Sequence, residues 1–134
     1  MKKIVLIIAI LVSSNAAILD DYLNKLKIEA KKENPNFKEF SYQKGKEIFY
    51  STHIGKRGKK VSCASCHTKD LTSSGENIFT GKILEPLSPK ANPKRLTKLK
   101  KIKKWLRRNF KDVYKREGSA IEKGNVLVFI RDFK

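Results

Sequence analysis

Apolar residues recur at three- and four-residue steps through most of this chain, with one unbroken apolar block at its start. That block runs from Ile4 to Val12 inside "MKKIVLIIAILVSSNAA" and has no helical face of its own. In "AILDDYLNKLKIEAKKENP" the apolar positions Ile18, Tyr22, Leu23, Leu26 and Ile28 predict a charged helix over 18–33, closed before Pro35. "FKEFSYQKGKEIFYSTHIG" predicts a second helix, capped by Ser41, carrying Gly45, Ile48 and Phe49, and stopping near Gly55. Glycine is a poor helix former, so Gly45 points to close approach by another element. From Leu96 onward Leu99, Ile102, Leu106, Phe110 and Val113 form one apolar face, with Asn109 on the same side. A last helix starts near Ser119, which pairs with Glu122 as a capping box, and buries Ile121, Val126, Val128, Phe129 and Ile130. It is expected to cross the helix that carries Gly45. "KRGKKVS" reads as a basic loop, and "DLTSSGENIFTGKILEPLSPKANP" as an ordered loop rich in Gly, Ser, Asn and Pro. The pattern as a whole predicts an all-α fold.

The N-terminal block sets the compartment. Lys2 and Lys3, the apolar run and the small residues Ser14 and Ala16 read as a secretory signal peptide over 1–17, cleaved near Ala16 or Ala17. The run is about half the length that spans a bilayer. The expectation is an exported, periplasmic chain with a single domain over 18–134, its core at about 38–134 preceded by the charged helix 18–33.

Charge narrows the partners. The chain has 31 Lys and Arg against 13 Asp and Glu, a formal net charge of +18. Such a surface attracts acidic redox proteins, anionic lipid headgroups or nucleic acid, and export argues against nucleic acid. The basic run "KLKKIKKWLRRNFKDVYKR" is better explained as the solvated face of a helix whose other face is buried.

"KKVSCASCHTKD" carries the chemistry. Cys63 and Cys66 are the only two cysteines, and exported free thiols would oxidise. A tetrahedral zinc site needs four ligands, and only His53 remains beyond Cys63, Cys66 and His67. A thioredoxin-like centre would need alternating strands and helices, which the pattern lacks. C-x-x-C-H instead attaches one covalent haem c: two thioethers from the cysteines, and His67 on the proximal side of the iron.

The distal side is open on this reading. The one methionine is Met1, which leaves with the signal peptide, so methionine ligation is excluded. The remaining candidates are His53, a lysine, a tyrosine, Asn109 or no side chain. His53 would make a plain bis-His electron carrier, although it lies in a loop ten residues before Cys63. A lysine would have to be neutralised and buried. Asn109 would be a weak neutral donor, and its ordinary role is to bond a backbone group in a core.

"GKEIFYST", "CASCHTKD", "TGKILEPLSPKANPKRLT", "IKKWLRRN" and "EKGNVLVFI" together resemble the monohaem cytochromes c of the sphaeroides haem protein type over about 42–131. That resemblance implies a class I cytochrome c fold. It also implies Asn109 as the distal ligand of oxidised haem, released on reduction so that oxygen or nitric oxide can bind, with Trp105 packing at the haem pocket. Family members commonly carry two cysteines, one directly after the ligand asparagine and one about eight residues on. Phe110 and Gly118 stand at those places here, so no distal disulfide forms and Phe110 is expected to fill the volume.

The expected function is single-electron transfer with a switchable site for a diatomic ligand. The alternatives are the His53-ligated carrier and a small haem oxidase or peroxidase. For the latter the sequence shows no acid–base pair near the iron, since Asp112 and Glu117 read as solvated charges. The expected partners are a redox protein with an acidic surface, such as another cytochrome, and a peripheral anionic membrane. His67 is expected to be oriented by a bond from its second ring nitrogen to a carbonyl of the proline-rich loop.

Overall fold

A computed structural model describes residues 13–134, so the apolar run Ile4–Val12 lies outside the described residues. Helix α1 (Ser13–Glu33) leads to α2 (Tyr42–Tyr50). A hairpin of β1 (His53–Ile54) and β2 (Lys60–Val61), closed by a short 3-10 turn at Lys56–Gly58, precedes the single turn α3 (Ala64–His67). A second hairpin, β3 (Gly75–Glu76) with β4 (Ile83–Leu84), follows, and then come α4 (Leu99–Tyr114) and α5 (Ala120–Arg131). The fold is helical, as the periodicity predicts. Among the described residues no helix is long and apolar enough to cross a membrane.

The core is built on α5. Its Ala120, Val126, Leu127, Phe129 and Ile130 are buried, and it packs most extensively on α2 and next on α1. Phe129 is fully buried among the rings of Phe49 at 5.4 Å, Tyr42 at 5.2 Å and Tyr50 at 5.7 Å. The α2–α5 crossing depends on Gly45, because a Cβ there would run into the backbone carbonyl of Asn125. Asn125 is itself buried, and its side-chain oxygen accepts the Ser41 N–H at 2.8 Å, which fixes the start of α2 on α5.

The first turn of α5 has a partner for each N–H that its helix cannot satisfy. Ser119 N–H donates to Glu122 at 2.8 Å and Glu122 N–H to the Ser119 hydroxyl at 3.1 Å, which is the expected capping box. Glu33, at the end of α1, accepts from Ala120 N–H at 2.8 Å and Ile121 N–H at 3.4 Å.

Several local expectations are corrected. The buried stripe of α1 is Leu19, Tyr22, Leu23, Leu26 and Ala30, while Ile28 is 61% exposed. Position 28 is two residues past Leu26 and therefore points away from α5. Helix α2 ends at Tyr50, short of Gly55, because Ser51 takes an extended conformation and the chain enters β1. The basic loop is thus a hairpin. Leu96, at φ 60°, lies before the helix it was expected to open. Helix α1 begins at Ser13 and not at residue 18, and Asn15 to Ala17 within it are exposed, whereas Leu19 is buried.

Candidate haem site

The motif residues sit on α3 because the turn is fastened locally. His67 N–H donates to the Cys63 carbonyl at 3.1 Å, and the Ser65 hydroxyl accepts the Ser62 N–H at 2.9 Å. Thr68 ends the turn at φ 65°, a conformation that costs a β-branched residue energy and reverses the chain immediately after His67. The Thr68 hydroxyl steadies it by donating to the Asp70 carbonyl at 2.6 Å. The segment beyond is ordered, as expected. Ser88 N–H donates to the carbonyl of fully buried Leu71 at 2.8 Å, and Arg95 binds the carbonyls of Glu85 and Pro86 at 2.8 and 2.9 Å.

One cavity gathers the residues that sequence reasoning singled out. Cys63 at the N-cap of α3 and Cys66 and His67 within it line one side with Val61 of β2 and the following Ser62, and Trp105, Asn109, Asp112 and Val113 of α4 line another. Asn77, Phe79 and Leu84 close it from the second hairpin. The α4 residues follow helical spacing from Trp105 to Asn109 to Asp112 and Val113, so one stripe of the helix faces the cavity. Asn109 is half-buried rather than enclosed in the core.

Burial shifts two of the motif groups. Burial, and after it the Arg95 charge, lowers the His67 pKa to about 4, so the imidazole is neutral near pH 7 and can act as a ligand. Burial pushes the Cys63 thiol up to about 12. His67 Nδ1 is buried without a hydrogen-bond partner. The expected bond to the proline-rich loop is therefore not formed: the Pro86 carbonyl there is held by Arg95. A buried imidazole short of partners, beside two thiols and facing a weak amide donor on another helix, fits a covalently tethered metalloporphyrin.

Two placements differ from expectation, those of His53 and Asp112. His53 is not among the residues lining the cavity, and it is half-buried rather than free in a loop. Its ring lies 4.2 Å from that of Tyr114, and Nε2 is 2.9 Å from the Ser51 hydroxyl. Trp105 lines the cavity and carries the Arg108 guanidinium over its ring at 5.7 Å. Asp112 lines the cavity and pairs with Lys56 at 3.4 Å, and so is not a solvated surface charge. Its place three residues after Asn109 was the signal for this. Val61, Ser62, Asn77, Phe79 and Leu84 carried no such signal, because short irregular segments bring them in.

Residues 35–130 match a family described as a domain of unknown function, DUF1924. The chain is 32% identical to cytochrome c'' of Methylophilus methylotrophus over 135 residues, covering 96% of this chain and 92% of that protein. It is 36% identical over 88 residues to the cytochrome c-type protein SHP of Cereibacter sphaeroides, covering 66% of this chain and 67% of that protein. The crystal structure of oxidised cytochrome c'' superposes with a TM-score of 0.75 at 31% identity over 85% of this chain and 93% of its own. Oxidised SHP, described as an oxygen-binding cytochrome c, superposes with a TM-score of 0.73 at 30% identity over 84% of this chain and 95% of its own. Motif, fold and relatives agree: the chain belongs to this family of c-type cytochromes, whose cofactor is a single covalent haem.

Proposed function

We propose that this chain is an exported, periplasmic monohaem cytochrome that passes single electrons and, once reduced, offers a distal position vacated by Asn109 to a diatomic ligand. The observation that carries the reading is that one cavity is lined by Cys63, Cys66 and His67, at and within α3, and by Asn109 from α4. Haem c supplies a one-electron couple and a metal able to bind small gases. Cys63 and Cys66 would hold it by thioethers, each sulfur bonding a vinyl carbon while the thiol hydrogen goes to the neighbouring carbon. His67, kept neutral by burial and with Nδ1 unbonded, would supply a ring nitrogen to the iron. Asn109 would supply a neutral amide, a donor weak enough to be kept by ferric iron and lost from ferrous iron. The description of SHP as oxygen-binding supports the open ferrous site.

The deciding experiment is an optical titration of the exported, haem-loaded protein in both oxidation states, adding carbon monoxide and nitric oxide to the reduced form. A high-spin ferrous spectrum that shifts promptly with gas, and an altered ferric spectrum in Asn109→Ala, are expected. A low-spin ferrous spectrum indifferent to gas would overturn the reading.

A further inference from the structure

The outer face of α4 carries charge that the haem site does not use. No carboxylate occurs in the sequence between Glu85 and Asp112. Lys100, Lys103, Lys104, Arg107, Arg108 and Lys111 are all exposed, and among the described residues no α4 cation forms an ion pair. Lys100 and Lys104, Lys103 and Arg107, and Lys104 and Arg108 stand four apart, a spacing at which like charges repel and weaken a helix. The cluster is therefore present despite its effect on stability.

Trp105 lies within this face. It is 39% exposed, has Arg108 over its ring, and also lines the cavity that His67 shares. An exposed tryptophan and arginines are the side chains that dominate protein contacts. The apolar side of α4 is already committed to the core through Ile102, Leu106, Phe110 and Val113. What remains for a partner is positive charge around one indole, not an apolar stripe able to enter a bilayer.

We propose that this face, through Lys100, Lys103, Lys104, Arg107, Arg108 and Lys111, docks an electron-transfer protein with an acidic surface. The proposal rests on the haem reading above. One electron would pass from the reduced partner, which is oxidised, to the ferric haem; the iron–Asn109 bond would then be the one lost, as the reading above requires.

The test uses the haem-loaded protein and a reduced plant-type ferredoxin as the acidic donor, followed anaerobically by stopped flow at the haem band. Lys104→Glu/Arg107→Glu/Lys111→Glu on α4 is compared with Lys25→Glu/Lys31→Glu/Lys32→Glu on α1, which changes net charge equally. At low salt the α4 variant is expected to react at least about tenfold more slowly than the parent, the α1 variant within about twofold, and all three to converge at high salt. Equal slowing by both variants, or none by either, would overturn the proposal by leaving only net charge or no steering. Loss of co-sedimentation with phosphatidylglycerol vesicles in the α4 variant, at an unchanged ferredoxin rate, would assign the face to a membrane and likewise overturn it. Haem staining of the denatured parent protein reports on the cofactor separately: an unstained band would remove the haem reading, and the docking proposal with it, whatever the rates.

Discussion

The Phe110 ring lies against Gly118 so closely that a Cβ at position 118 would come within 2.8 Å of ring carbons Cε2 and Cζ. The contact joins the last turn of α4 to the entry of α5, at the two places where the resemblance would put a disulfide. Phe110 is buried and its ring also meets Tyr114 at 5.3 Å. An apolar contact thus occupies the volume beside the distal helix. Gly118→Ala is expected to lower stability by about 1–3 kcal/mol through overpacking. Phe110→Leu in the same chain should recover part of that loss. Thermal unfolding of the haem-loaded protein measures both, and an unchanged midpoint for Gly118→Ala would show that the ring can simply move aside.

Gly45→Ala should be worse, because its obstacle is the Asn125 backbone and not the end of a side chain. The α2–α5 crossing would have to open, at a cost at or above the upper end of the about 1–3 kcal/mol usual for overpacking. Urea unfolding monitored by circular dichroism reads this directly.

Glu33→Ala should cost about 1 kcal/mol, the usual worth of an N-terminal cap, since it leaves the Ala120 and Ile121 N–H groups to water. Amide exchange should accelerate at those two positions before it does so elsewhere in α5.

Acid should weaken the other half of that cap. Arg116 bonds the Glu122 carboxylate at 2.7 and 2.8 Å, and with the Ser119 N–H it holds the Glu122 carboxyl below its ordinary value of 4.5. A group depressed by folding contributes its stability fully above the unfolded value and loses it as pH falls through the folded one. The urea midpoint should therefore fall below about pH 4.5. The drop should be smaller in Glu122→Gln, although Asp132, lowered by Arg131, keeps part of the slope.

His53→Ala should leave the ferric spectrum and ferrous gas binding unchanged, because the His53 ring is engaged by the Ser51 hydroxyl and the tilted Tyr114 ring and does not itself line the cavity. Loss of the ferric low-spin signature in this variant would reinstate His53 as ligand.

The helices were legible because their signals are local. The apolar stripe of α4, the Ser119–Glu122 box and the demand of Gly45 for a close neighbour are all written within a few residues of where they act. The facing of α1 was harder to read: Leu19 and Ala30 are buried while Ile28 is not, because α5 decides which side of α1 is covered. The hairpins could not be read from alternation, since strands of two residues have none to show. At the site, the C-x-x-C-H spacing and the α4 period found the residues from α3 and α4. The hairpin residues Phe79 and Leu84 arrive by tertiary closure, which no spacing in the sequence announces.

Helix α5 packs on both α1 and α2. It therefore acts as the tie between them: without Leu127, Phe129 and Ile130 the buried faces of Leu19, Leu26 and Phe49 would lose their cover together.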